Sequence, residues 1–157
     1  METIYQGVLI GIIATIGQDI WEATVKHIFR FPTAGLALVG RWVGHMPKGT
    51  FVHHSIKESP AIPHELLIGW IAHYITGILY GVTYLYFVQT VLMSEPTISS
   101  ALIFGLILLI APWFIVQPGI GLGVFASKAP RPGVVRLISI SLHILFGASL
   151  YIAWLLI

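Results

Sequence analysis

An all-α membrane protein with four transmembrane helices is the fold class this chain predicts, and three observations carry it. Its 157 residues are 57% hydrophobic and only 9% charged, with a mean hydropathy of +0.91. Soluble chains carry roughly 25% charged residues, so this one cannot cover itself with polar groups and must be solvated by lipid. Four apolar segments approach or exceed the roughly 20 residues needed to cross a hydrocarbon core of about 30 Å. All eight lysines and arginines fall in two stretches, one between the first two segments and one leading into the fourth, and the remaining connection and both ends carry none.

The first span is expected at about 3–24, in TIYQGVLIGIIATIGQDIWEAT. A connection at about 30–65 follows, too long for a plain turn. Its GLALVGRWV is apolar but short, which predicts an interfacial or re-entrant helix and not a span. The second span is expected at about 66–93 and the third at about 98–116, joined tightly by SEPT. QPGIGLGVFASKAPRPG then breaks the helix with glycine and proline before a fourth span at about 134–157. The predicted organisation is a single four-helix transmembrane domain over 1–157 without internal repeat.

Charge sets the expected orientation. Lys26, Arg30, Arg41, Lys48 and Lys57 precede span two, and Lys128, Arg131 and Arg136 precede span four. By the positive-inside rule both long loops are cytoplasmic and both termini face outward. The bias also argues against a dual-topology transporter. No cleavable signal is expected, since METIYQG lacks a basic n-region. With no cysteine, disulfides, thiolate ligands and cysteine nucleophiles are excluded. A net charge of +2, split between two loops, gives no footprint for nucleic acid.

Polar residues inside the oil mark the candidate site. Asp19 and Glu22 lie one turn apart near the cytoplasmic end of span one. His73 is eight residues past Glu65, hence roughly 12 Å into span two. His143 is seven residues past Arg136, hence roughly 10 Å into span four, and Gln117 closes span three. Each span thus places a polar group at a similar level, and such groups face a bundle interior or aqueous cavity. The faces agree: Gly7, Gly11, Thr15 and Asp19 recur at helical spacing, as do His73, Gly77, Tyr80 and Tyr84, and Ser139, His143, Gly147 and Tyr151. Gly7–Gly11 and Gly77–Gly81 are GxxxG pairs that allow close backbone approach.

These residues support several chemistries. Asp19, His73 and His143 suit acid–base work on a small or lipid-soluble substrate, because histidine titrates near neutrality. The same three are the set a metal would use, two imidazoles and a carboxylate suiting zinc or iron, although no HxxxH, ExxH or HExxH spacing is present. Which cofactor is involved, if any, is unknown from the sequence. Glu22, Arg41, His45, Tyr74 and Gln117 are the accompanying binding candidates. Against these readings, Glu22 can pair with Lys26 at i,i+4, a lone intramembrane histidine can be an interhelical hydrogen-bond partner, and Gln117 can cap backbone groups freed by Pro118. GRWVGHMPKGTFVHHSI, residues 40–56, holds three of the seven histidines and is expected either to cap the site or to lie on anionic headgroups. A proton- or ion-coupled transporter acting as a homo-oligomer, and a structural or assembly subunit, are the alternatives to a ligand-binding protein or enzyme.

The segments GRWVGHMPKGTFVHHSI, GWIAHYITGILYG and QPGIGLGVFASKAPRPGVVRLISISLHILFG resemble a bacterial inner-membrane family known as domain of unknown function 2938. The resemblance covers essentially the whole chain. It implies a small four-span protein of the inner membrane, and it places Asp19, His45, His73, Gln117 and His143 on the family's motifs. It implies no activity, substrate or cofactor.

Overall fold

The computed structural model describes residues 2–28, 30 and 35–157. Among them there is no strand, and four helices are long and apolar enough to cross a membrane. Helix α1 is Glu2–His27; α2 is Leu36–His45 and leads into a 3₁₀ turn, Met46–Lys48. Helix α3, Glu65–Tyr86, ends in a π-turn at Phe87–Val91. Helix α4, Ile98–Ile107, opens the third span, which continues irregularly to Gly119. Helix α5 is Pro132–Leu156. The apolar segment 35–43 lies in α2, a helix of 10 residues and thus shorter than a span. Residues 31–34, part of the expected connection at 30–65, lie outside the described residues.

Glycine decides which helices meet. A Cβ on Gly11 would stand 2.6 Å from the carbonyl oxygen of Gly77, and one on Gly7 would stand 2.7 Å from Cα of Val82. The two GxxxG pairs therefore face one another and bring the α1 and α3 backbones into contact. Gly40 does the same for α2 on α3, where its Cβ would sit 2.6 Å from the Gly69 nitrogen. Helix α5 packs along α1 on one side and α4 on the other. Helices α3 and α4 come together at their connecting turn. There the Tyr84 hydroxyl lies 2.9 Å from Ser100 Oγ, and its ring packs 5.3 Å from that of Phe104. Thr97 starts α4 through a capping box with Ser100.

Away from that turn no comparable packing joins α3 to the third span among the described residues. The third span is also irregular there. Ala111 N–H donates to Leu108, three residues back, and a π-turn follows at Pro112–Val116. Pro112 has no N–H to continue the α-helical ladder, so the helix changes pitch on reaching it. The break that the sequence places at QPGIG thus has a forerunner at 108–112, nearer the middle of the span.

The core divides along the bundle. Toward the 92–97 turn and the two termini, Ile10, Ala14, Tyr84, Leu85, Val88, Ala101, Phe146, Leu150 and Ala153 form one buried apolar cluster. A smaller cluster, Trp42, Ile56 and Ile120, holds the two long loops together at the other end.

Candidate functional site

Asp19, on the loop-facing half of α1, meets two consecutive residues of α3. Its Oδ1 lies 2.9 Å from His73 Nε2, and its Oδ2 accepts from the Tyr74 hydroxyl at 2.9 Å. An ionised carboxylate only accepts, so His73 carries its proton on Nε2 and donates it. The other ring nitrogen, Nδ1, is then the lone-pair nitrogen. Trp70 and Tyr74 flank the imidazole edge-on, their ring centroids 6.2 and 5.7 Å away. Both members of this pair keep about a fifth of their side-chain surface exposed, His73 18% and Asp19 20%.

His143 reaches the same space from α5. Its Nδ1 lies 2.9 Å from the carbonyl oxygen of Ser139. A carbonyl cannot donate, so Nδ1 holds the proton and Nε2 is bare. Beside it, buried Gln117 donates through Nε2 to Ser139 Oγ at 3.3 Å. The Gln117 Oε1 atom is buried with no partner among the described residues.

His73 and His143 both line a cavity of about 160 Å³. All four spans contribute to it: Thr15 and Gln18 from α1, Tyr80 beside His73 from α3, Leu108 and Pro112 from the third span, and Phe146 beside His143 from α5. The irregular stretch at 108–112 forms one wall, as expected of backbone that leaves helical geometry at membrane depth. The lining is mainly apolar with a few polar groups. Asp19 stands behind His73 and does not itself line the space. Among the described residues no three His, Asp or Glu side chains converge closely enough to hold a metal ion. The conditional metal set Asp19, His73 and His143 is therefore not gathered as ligands here.

The remaining sequence candidates lie elsewhere. Glu22 makes no hydrogen bond or ion pair among the described residues, and the suggested Glu22–Lys26 pair is not formed. Arg41 is engaged in structure. It grips Glu65 with Nε and Nη2 at 2.8 and 2.9 Å, and its Nη1 donates to the carbonyls of Ile56 and Ser59 at 3.2 and 3.0 Å. Those charge-assisted bonds hold the Arg41 pKa above its ordinary value, the Glu65 hydrogen bond contributing most.

His45 is buried, and its Nδ1 faces Nε2 of His53 at 2.9 Å. The ring of His53 donates through Nδ1 to the Gly119 carbonyl at 3.1 Å, and its backbone N–H bonds the same oxygen at 2.9 Å. Since His53 Nδ1 must donate there, its Nε2 accepts and His45 Nδ1 donates, a chain with one direction. Trp42 Nε1 donates to the Phe51 carbonyl at 2.8 Å, and its ring packs where a Cβ on Gly119 would fall. Gly121 has a φ of 92° and lies against the His54 carbonyl, so glycine is required there by conformation and space alike. The 45–56 segment is thus ordered against the end of the third span, with α2 on α3, and its histidines do not line the cavity.

Thr15 and Tyr80 of the lining lie on the helix stripes of Asp19 and His73, whereas Gln18 carried no signal beyond being next to Asp19 in the chain. The pairings Arg41–Glu65 and His45–His53 carried none, because they depend on how the loop folds.

A family model spans residues 8–157 of this architecture. The chain belongs to the family described as protein of unknown function (DUF2938). No curated protein and no solved structure matches it. For this DUF2938 member the geometry of its own residues is what carries the functional reading.

Proposed function

We propose that the protein is an integral inner-membrane protein that binds a small or lipid-soluble molecule in the four-span cavity, with His73 as the acid–base group of a membrane-embedded enzyme. The observation that supports this is the Asp19–His73 pair. A carboxylate accepting from Nε2–H fixes one tautomer, stabilises the imidazolium that forms if Nδ1 takes a proton, and leaves Nδ1 free on a residue that lines the cavity. Tyr74 on the second carboxylate oxygen holds that orientation. The same bond also joins α1 to α3, and a proton-transfer role adds to that interhelical contact the use of the second ring nitrogen.

With the long loops cytoplasmic and both termini outside, the cavity belongs to the cytoplasmic half of the membrane. The apolar cluster around Tyr84 and Leu150 then fills the outer half. A through-path for ions would have to cross that cluster, which favours a binding or catalytic site over a transporter. The test is mass spectrometry of the solvent extract of purified protein. The wild type should retain a compound that His73→Ala and His143→Ala lose, with both variants still inserted and folded. Indistinguishable extracts from all three would refute the reading.

A further inference from the structure

The chemistry of the cavity narrows what it can hold. Both lining imidazoles present a lone-pair nitrogen, His73 because Nε2 is committed to Asp19 and His143 because Nδ1 is committed to Ser139. No lysine, arginine, aspartate or glutamate lines the space, so a permanently charged ligand would find no fixed counter-charge there. Tyr80 and Gln18 add a hydroxyl and an amide to the wall. The smallest uncharged group that can both donate to an imidazole and accept from such neighbours is a hydroxyl.

Size and access restrict it further. About 160 Å³ is close to the roughly 150 Å³ known to admit one benzene molecule in a protein interior. Anything longer must extend out of the cavity. The apolar cluster fills the side toward the termini, while α3 and the third span are not packed together at this level. Thr76, a lining residue on α3, is exposed and marks that gap. A gap between two spanning helices at this level opens toward the bilayer.

Building on the proposed ligand-binding reading, we infer that the cavity takes the hydroxyl end of an uncharged, lipid-soluble molecule, no larger than a phenol ring, inserted sideways between α3 and the third span. The apolar remainder stays in the bilayer, and the O–H donates to a bare histidine nitrogen.

The test uses the full chain in lipid nanodiscs with carbon-13-labelled histidine, following the ring signals of His73 and His143. The probes are 4-octylphenol, its methyl ether 4-octylanisole, octylammonium and octanoate. The phenol should shift both rings saturably, while the ether, which partitions similarly but has no O–H, should bind at least about fivefold more weakly. His143→Leu should weaken the phenol by a similar factor, and Thr76→Trp, at the exposed mouth, should reduce occupancy with both histidines retained. Equal responses to phenol and ether would show that the hydroxyl is not read and overturn the inference. Occupancy by octylammonium or octanoate in place of the phenol would overturn the ligand class while leaving a binding site. A wild-type phenol response in Thr76→Trp would overturn sideways access. If no probe moves either ring the inference fails, and an empty solvent extract from the same preparation would sink the binding reading with it.

Discussion

Replacing Asp19 by leucine removes both acceptors of the His73–Tyr74 arrangement at once, whereas asparagine removes only the charge. The two changes should differ in a calculable way. Asparagine can keep both contacts: its Oδ1 accepts from His73 Nε2–H, and its Nδ2–H donates to a Tyr74 hydroxyl that has rotated to accept. What is lost is the charge assistance, about 1 kcal/mol per bond when a bond worth roughly 1.5–3 falls to roughly 0.5–1.5. Asp19 and His73 keep about a fifth of their surface exposed, so water offsets part of this, and Asp19→Asn should cost about 1–2 kcal/mol. Leucine leaves two donors without a partner at roughly 1–3 kcal/mol each, so Asp19→Leu should cost about 2–4 kcal/mol after the same allowance. A double-mutant cycle identifies the source. Tyr74→Phe should destabilise the wild type by about 1 kcal/mol, but in the leucine background it should be neutral or stabilising, because the hydroxyl it removes is already orphaned. Equilibrium unfolding by steric trapping in bicelles measures all four proteins. Equal losses for asparagine and leucine, or additive effects of Asp19→Leu and Tyr74→Phe, would refute the carboxylate as acceptor for both groups.

The orientation proposed here predicts that Glu95→Cys in this cysteine-free chain reacts with an impermeant maleimide in intact cells, whereas Lys57→Cys reacts only after permeabilisation. The reverse pattern would invert the topology. Gly11→Ala should cost roughly 1–3 kcal/mol, since its methyl group would meet α3 backbone at 2.6 Å; Gly133→Ala, with nothing within 4 Å, should be neutral or slightly stabilising in the same unfolding assay. Arg41→Lys keeps the charge but cannot fork onto Glu65 while reaching the Ile56 and Ser59 carbonyls. Proteinase K should therefore cleave the 56–60 stretch several-fold faster in that variant, and an unchanged rate would remove Arg41 as the pin of the loop.

What the sequence could say about this site followed from the constancy of helical geometry. Rise per residue fixes the level of a side chain without tertiary information, so the similar depth of Asp19, His73 and His143 could be read directly. Spacing of four residues likewise put Gly7–Gly11 and Gly77–Gly81 each on one face. That these two pairs would choose each other could not be read, since GxxxG names a face and not its partner. Loop residues escaped for a different reason. Arg41 with Glu65, and His45 with His53 and Gly119, join positions whose separation in the chain says nothing about distance. The break at 108–112 was hidden in an apolar run, where only Pro112 signalled that the ladder of N–H donors would be interrupted.

The two ends of the bundle make complementary demands on this broken span. Toward the termini its first turns pack Ala101 and Phe104 into the apolar cluster, which fixes α4 against α5. Toward the loops its last turn is held from outside, by His53 on the Gly119 carbonyl, Ile56 N–H on the Ile120 carbonyl and the Trp42 ring over Gly119. Between these anchors, the irregular stretch that walls the cavity has lost part of its regular α-helical hydrogen bonding and has no extensive backbone packing against α3 to replace it. Backbone of this kind would be expected to open locally if either end were free. The ordered 45–56 segment therefore bears on the cavity without lining it: by clamping Gly119 and Ile120 it holds the span that carries Pro112 and Val116, and the shape of the cavity depends on a loop outside its wall.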